Sequence, residues 1–139
     1  MGIFERIKGR ATLILYEILR HLSFWGRRKR TENNLEHNTV SVNSCMQDTY
    51  VENQTTLSGL RYGVKTFDYC GCAVAAMYNA LSFLSGKADR KLLPLLISRF
   101  EESGAAFSAR FGTAPRSAAQ YLSKYTDFSF EKTGNPKRF

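Results

Sequence analysis

The sequence predicts a mostly α-helical protein with one short β element. Apolar residues recur at the three- and four-residue steps of a helix over 73–84 and again over 91–103. In contrast, apolar and polar residues alternate in the manner of a strand over 128–132, near the C-terminus. With 139 residues and 43% hydrophobic content, the chain can form the core of one domain.

Residues 1–30 predict a basic amphipathic helix, which we call the arm. It carries eight Lys or Arg residues against two Glu, and a stripe of apolar residues follows one face: Phe4, Ile7, Ala11, Ile14, Ile18, Leu22 and Trp25. Glu17 interrupts its most apolar segment, which is shorter than the roughly 20 residues that span a bilayer. The basic run 27–30 after Trp25 does not match a secretory signal. We expect the arm to lie on an anionic membrane surface, or to pack on the domain or a partner.

Residues 31–56 predict a polar linker. Asn, Thr, Ser and Glu dominate this stretch, and no periodic apolar pattern runs through it. Only 39–43 alternates briefly, which predicts a short strand there. His37 is expected to be a solvated surface residue. The globular part is therefore expected to span 57–139.

Two helices are predicted at the centre of the globular part, and a third follows them. The first runs from Ala73 to Ser85 and stops at Gly86, and its buried face is expected to hold Val74, Met77, Tyr78, Leu81 and Leu84. The second begins at Lys91 or Pro94, with Asp89 as a cap, and runs to Ser103, with these residues facing inward: Leu92, Leu93, Leu96, Ile97 and Phe100. The third is opened by 112–115, with Thr113 as N-cap, and ends near Tyr125.

Three cysteines occur, Cys45, Cys70 and Cys72. Their odd number and close spacing do not match a disulfide framework, so we expect a reducing compartment, the cytoplasm, with the arm able to reach the inner face of the membrane. Cys72 directly precedes the first core helix, where unpaired backbone N–H groups and the helix dipole stabilise a thiolate. A cysteine nucleophile needs such a position. The alternative is that Cys70 and Cys72 are small buried hydrophobic residues.

No cofactor or metal site is predicted from the sequence. Nucleic-acid binding is not expected either, because only one cluster is basic and no aromatic residues are interleaved with it.

The stretch that begins at Gly71 resembles a known protein family. Gly71-Cys72 followed by the run 76–81 (Ala-Met-Tyr-Asn-Ala-Leu) resembles the nucleophile helix of bacterial papain-like cysteine peptidases, in the subgroup related to peptidases that trim bacteriocin leaders. Segments 95–104 and 112–115 are similar in the same order, so the resemblance extends from about Tyr62 to Lys132. It implies the helical lobe of a papain-like α+β fold, preceded by the amphipathic helix, and a peptide substrate.

The resemblance assigns the nucleophile position to Cys72. Cys70 is the alternative if the motif is aligned with the commoner Cys-Gly-Pro form. The glutamine that donates to the oxyanion in such peptidases has no match, since Lys65 and Thr66 occupy the region just before the cysteines.

The position of the histidines is the main departure from the family pattern. Papain-like chemistry needs a His after the nucleophile to accept the thiol proton, whereas His21 and His37 both precede Cys72. The resemblance therefore implies a partial domain over 57–139 that lacks its strand lobe and is inactive as this chain alone. A missing lobe predicts an exposed helical face for a partner chain to cover, formed by Leu81, Leu93, Phe100 and Leu122.

Two further hypotheses remain open. In one, the chain is an active cysteine hydrolase that uses His37 or a residue from another chain. In the other, it is a non-enzymatic protein that binds a membrane surface or a partner through its basic helix, and the cysteines serve only in packing.

Overall fold

A computed structural model describes residues 26–103 continuously, together with Ile14, Leu15, Ile18, Thr113, Gln120, Tyr121, Ser123, Lys124, Thr126 and Asp127. The continuous stretch holds four α-helices: α1 (Arg27–Cys45), α2 (Phe67–Cys70), α3 (Cys72–Ser85) and α4 (Leu92–Glu102). A 3-10 helix, Gln54–Leu57, lies between α1 and the two strands β1 (Arg61–Tyr62) and β2 (Lys65–Thr66). The prediction of a mostly helical chain with a short β element is confirmed.

The β element is an antiparallel hairpin immediately before the cysteines. Arg61 pairs with Thr66 and Tyr62 with Lys65. The turn contains Gly63 at φ 62°, a left-handed conformation that glycine adopts at little cost. The strand predicted over 128–132 lies outside the described residues.

Helix α1 occupies the first part of the stretch 31–56, so the prediction of a polar linker is wrong there. The strand predicted over 39–43 is also wrong, since these residues lie within α1. Its buried positions are spaced as on one helical face but are mostly polar: Thr31, Asn34, Asn38 and Val42. Hydrophobic periodicity could not detect such a face.

Two buried or half-buried asparagines explain how a polar face can be packed. Asn38 donates to the carbonyl of Arg61 (2.8 Å) and accepts from its N–H (2.7 Å). Asn79 on α3 does the same with Val51, at 2.9 and 2.8 Å. Each amide side chain thus pairs with both backbone groups of one residue, as a neighbouring strand would. The polar groups are thereby satisfied when they leave water.

Helices α3 and α4 have nearly the bounds that the sequence predicted. α3 ends at Gly86, whose φ of 65° forms the left-handed cap, and Asp89 Oδ1 accepts from the N–H of Lys91 just ahead of α4. The predicted inward residues of both helices are buried or half-buried, except Leu84, which is 52% exposed. Of the predicted third helix, Gln120, Tyr121, Ser123 and Lys124 are helical, and the rest lies outside the described residues.

The core is formed between α1, α3, α4 and the hairpin. The most extensive helix contact in the described region joins α1 to α4. Leu81 on α3 and Leu93 and Phe100 on α4 are 8%, 0% and 1% exposed, so the predicted exposed patch is wrong for these three residues. Leu122 lies outside the described residues. The core also includes Val42, Met46 and Val51, which precede the expected start of the globular part at residue 57.

Only a few positions of the arm are described. Ile14, Leu15 and Ile18 are helical, with exposures of 61%, 56% and 51%. Gly26 has a φ of 76°, which an α-helix does not accommodate, so the predicted helix over 1–30 does not run unbroken, and the basic run 27–30 forms the first turn of α1. Among the described residues, no helix is both long enough and apolar enough to cross a bilayer.

Candidate thiol site

Cys70 and Cys72 lie on either side of the junction between α2 and α3. Gly71 joins the helices: its N–H donates to the carbonyl of Phe67 (2.7 Å), and its own carbonyl accepts from Ala75 (2.9 Å). A Cβ at this position would come within 2.6 Å of the Phe67 ring and carbonyl, so the junction requires glycine. Cys72 is consequently the first residue of the 14-residue helix α3, as the sequence predicted.

The two thiols have opposite environments. Cys72 is exposed, whereas Cys70 is buried, with 5% of its surface accessible. The pKa of Cys70 is raised to about 11, chiefly by burial and to a smaller extent by the neighbouring Cys72 and the carboxylates of Asp68 and Glu101, while Lys65 has a small opposing effect. Cys70 is therefore protonated near neutral pH and cannot serve as a thiolate there.

Hydrogen bonds from segments that precede it in the chain, together with the burial of Phe67, hold α2 in place. Phe67 is fully buried, and its N–H donates to the carbonyl of Leu60 (2.8 Å). Gln54 reaches α2 from the 3-10 helix and donates through Nε2 to the carbonyl of Asp68 (2.7 Å). The sequence analysis missed this amide beside the thiol segment, because Gln54 lies in the stretch assigned to the linker.

Of the two histidines, only His37 lies among the described residues. His37 is half-buried on α1, and its Nε2 lies 2.9 Å from the carbonyl of Gly59. A carbonyl only accepts, so Nε2 carries the proton and His37 fastens α1 to the loop. His37 was expected to be a solvated surface residue; it is partly exposed and in addition makes this hydrogen bond. Among described residues no hydrogen bond connects it to Cys72, and His21 lies outside them.

An exposed apolar face continues from Cys72 along α3. Its members follow at steps of three and four residues: Ala76, Ala80, Phe83 and Leu84 are all exposed. Phe83 is 75% exposed and Leu84 52%. An uncovered helical face was expected, and the structure shows one on α3, formed by residues other than those predicted.

Within residues 26–103 and the isolated described positions, no group of three His, Cys, Asp or Glu side chains is arranged to hold a metal ion. The site as described therefore offers a single exposed thiol, a buried neutral thiol and an apolar helix face.

Comparison with known proteins returned no family model, no curated protein and no solved structure that matches this chain. The resemblance to papain-like cysteine peptidases thus stays a prediction from the residues quoted above.

Proposed function

We propose that this chain is related to papain-like cysteine peptidases and that Cys72, not Cys70, holds the nucleophile position of its helical lobe. One observation carries the proposal: Cys72 is exposed at the first position of a 14-residue helix, whereas Cys70 is buried with a pKa of about 11. A helix start presents unpaired N–H groups and the positive end of the dipole to a thiolate.

Peptide hydrolysis by this chain alone is not part of the proposal. The sequence holds only His21 and His37, both before Cys72, and the Nε2 of His37 is protonated and committed to Gly59. No histidine among the described residues is placed to accept the proton of the Cys72 thiol. The apolar face that begins at Cys72 offers a partner chain or a peptide substrate a surface to contact.

The test is the alkylation rate of Cys72 at neutral pH in a Cys45→Ser, Cys70→Ser variant, compared between the folded and the urea-unfolded protein. We expect iodoacetamide to react faster with the folded protein, because the helix start stabilises the thiolate only when α3 is formed. A folded rate equal to or below the unfolded rate would contradict the proposal and favour an ordinary surface thiol.

The matched control is a Cys45→Ser, Cys72→Ser variant, which retains only Cys70. Its alkylation should be slow in the folded protein, because Cys70 stays buried in this variant and burial is the largest cause of its raised pKa. Unfolding should accelerate it strongly. Fast labelling of folded Cys70 would reverse the assignment of the two cysteines.

A second candidate function is supported by a separate observation. The described arm residues Ile14, Leu15 and Ile18 are helical and all more than half exposed, and the arm is basic. A non-enzymatic protein that lies on an anionic membrane through this arm would expose them in the same way. Sedimentation of the full chain with phosphatidylserine vesicles tests this candidate: Ile14→Ser with Ile18→Ser should weaken binding, and unchanged binding would contradict it.

A further inference from the structure

A basic groove lies between the start of α1 and the β-hairpin. Its volume is about 690 Å³, and its walls include Lys29 and Arg30 of α1 together with Arg61 and Lys65 of the two strands. Lys29, Arg61 and Lys65 are exposed, and Arg30 is half-buried. Residues far apart in sequence thus concentrate four cations at one place.

The groove has no acidic side chain among the described residues that line it. Glu101 is buried and is linked to residues of the groove wall. Its Oε1 accepts from the N–H of Gly63 (2.6 Å) and from Asn34 (2.9 Å), and Arg30 interacts with it electrostatically. The exposed cations Lys29, Arg61 and Lys65 give the groove its positive charge.

The basic run also opposes the dipole of its own helix. Lys and Arg near a helix N-terminus are unfavourable, and α1 has no acidic residue in its first turn to offset them. An anion in the groove would relieve both the mutual repulsion of the cations and their unfavourable position at the helix start.

An apolar tip, formed by Val64 at the turn of the hairpin and Tyr69 of α2, lies beside this basic groove. Val64, at the turn of the hairpin, is 47% exposed and also lines the groove. Tyr69 is 63% exposed, and Lys65 Nζ lies 5.2 Å from the centre of its ring. Exposed apolar side chains flanked by cations suit a bilayer interface, where the apolar groups enter the headgroup boundary and the cations stay at the level of the phosphates.

We propose that the groove and the hairpin tip bind the phosphorylated headgroups of an anionic bilayer. The folded domain then contacts the membrane through Arg61, Val64 and Lys65, which lie outside the arm. The second candidate function also places the protein on an anionic membrane, through the arm. The groove and the hairpin tip would form a second, separate contact with that membrane. A nucleic acid would supply phosphates too, but it would leave the apolar tip without a role.

The experiment measures partition of the full chain onto vesicles of phosphatidylcholine with phosphatidylserine, and onto vesicles of phosphatidylcholine alone. An Arg61→Gln, Lys65→Gln variant should bind the anionic vesicles roughly 25-fold more weakly, at about fivefold for each cation removed from a charged surface. The matched control is Lys87→Gln with Lys91→Gln, which removes the same charge from exposed positions elsewhere. This control variant should lose far less of its binding to the anionic vesicles.

Two more variants separate charge and insertion from damage to the fold. Arg61→Lys with Lys65→Arg keeps both charges and should retain binding, whereas Val64→Ser keeps all charges and should weaken it. An equal loss in the groove pair and the control pair would overturn the proposal, since net charge alone would then explain binding. Unchanged binding of Val64→Ser, or loss of binding in the charge-conserving pair, would also contradict it.

The same assay distinguishes binding of the groove to a bilayer from binding to other phosphate ligands and from binding through the arm. If an oligonucleotide depended on Arg61 and Lys65 while vesicle binding did not, the groove would be a nucleic-acid site and the proposal would be wrong. Displacement from vesicles by inorganic phosphate at constant ionic strength would identify free phosphate as the ligand and overturn it. If Ile14→Ser with Ile18→Ser abolished binding and the groove variant did not, the arm would bind membranes without the groove.

Discussion

Helices α1 and α4 pack against each other, yet their buried faces have opposite chemistry. α4 contributes apolar side chains such as Leu96 and Phe100, each no more than 1% exposed. α1 contributes Asn34 and Asn38, which are 4% and 0% exposed. The apolar face is stabilised by removing surface from water, and the polar face by hydrogen bonds whose partners lie at fixed positions. A polar face is therefore specific to one docking geometry, whereas an apolar face tolerates several.

The largest effect should come from the apolar side of this contact. Leu96→Ala removes a fully buried side chain and should lower the free energy of unfolding by about 2–5 kcal/mol, from lost burial and from the cavity left behind. Urea denaturation measures it. The neighbouring Leu95→Ala is the control: Leu95 is 52% exposed, and its loss should cost about 0.5 kcal/mol or less. Similar losses at both positions would mean that α4 is not packed as described.

The polar side should show a smaller but still clear effect. Asn38→Ala removes both hydrogen bonds to the backbone of Arg61 and should cost about 2 kcal/mol, because the two groups lose their partners next to the core. Asn43→Ala on the exposed side of α1 is the matched control and should be nearly neutral. If Asn38→Ala were also neutral, the asparagine would not be what holds the hairpin to α1.

Glu101 connects the two faces and gives a pH-dependent test with a smaller amplitude. Burial raises its pKa, although hydrogen bonds from Gly63 and Asn34 oppose this effect. The folded state then binds a proton more tightly than the unfolded state, so this group's contribution to stability falls as pH rises through the unfolded and then the folded pKa.

Glu101→Gln keeps an acceptor for Gly63 and Asn34 and should remove this dependence. Unfolding free energies measured from mildly acidic to neutral pH should show a decline with pH in the original protein that is absent from the variant. A decline of equal slope in both would assign the effect to another group.

Sequence reasoning succeeded where apolar periodicity is the signal. Val74, Met77, Tyr78 and Leu81 follow one face of α3 and are buried as predicted. It failed at α1, because the polar residues Thr31, Asn34 and Asn38 there occupy the positions that such reasoning assigns to apolar ones. The signal available was the helical spacing of 34 and 38, both asparagine. Strands of two residues are also too short for alternation to be recognised.

The candidate site was predictable in position but not in environment. The start of a helix at Cys72 follows from the apolar pattern after it. The burial of Cys70 depends on how α2 packs, and the contact of Gln54 with Asp68 spans 14 residues. Glu101 reaches Asn34 across 67 residues. Such contacts depend on the tertiary arrangement, which local patterns do not encode.

The buried face of α1 also bears on how the chain folds. A 19-residue helix with so little apolar surface gains little from forming alone, and its polar partners, Glu101, Gly63 and Arg61, all follow it in the chain. As an isolated peptide, residues 27–45 should be largely unstructured. During synthesis we expect residues 27–45 to become helical only after α4 has been made. In native-state hydrogen exchange the amides of α1 should open in the same cooperative step as those of α4.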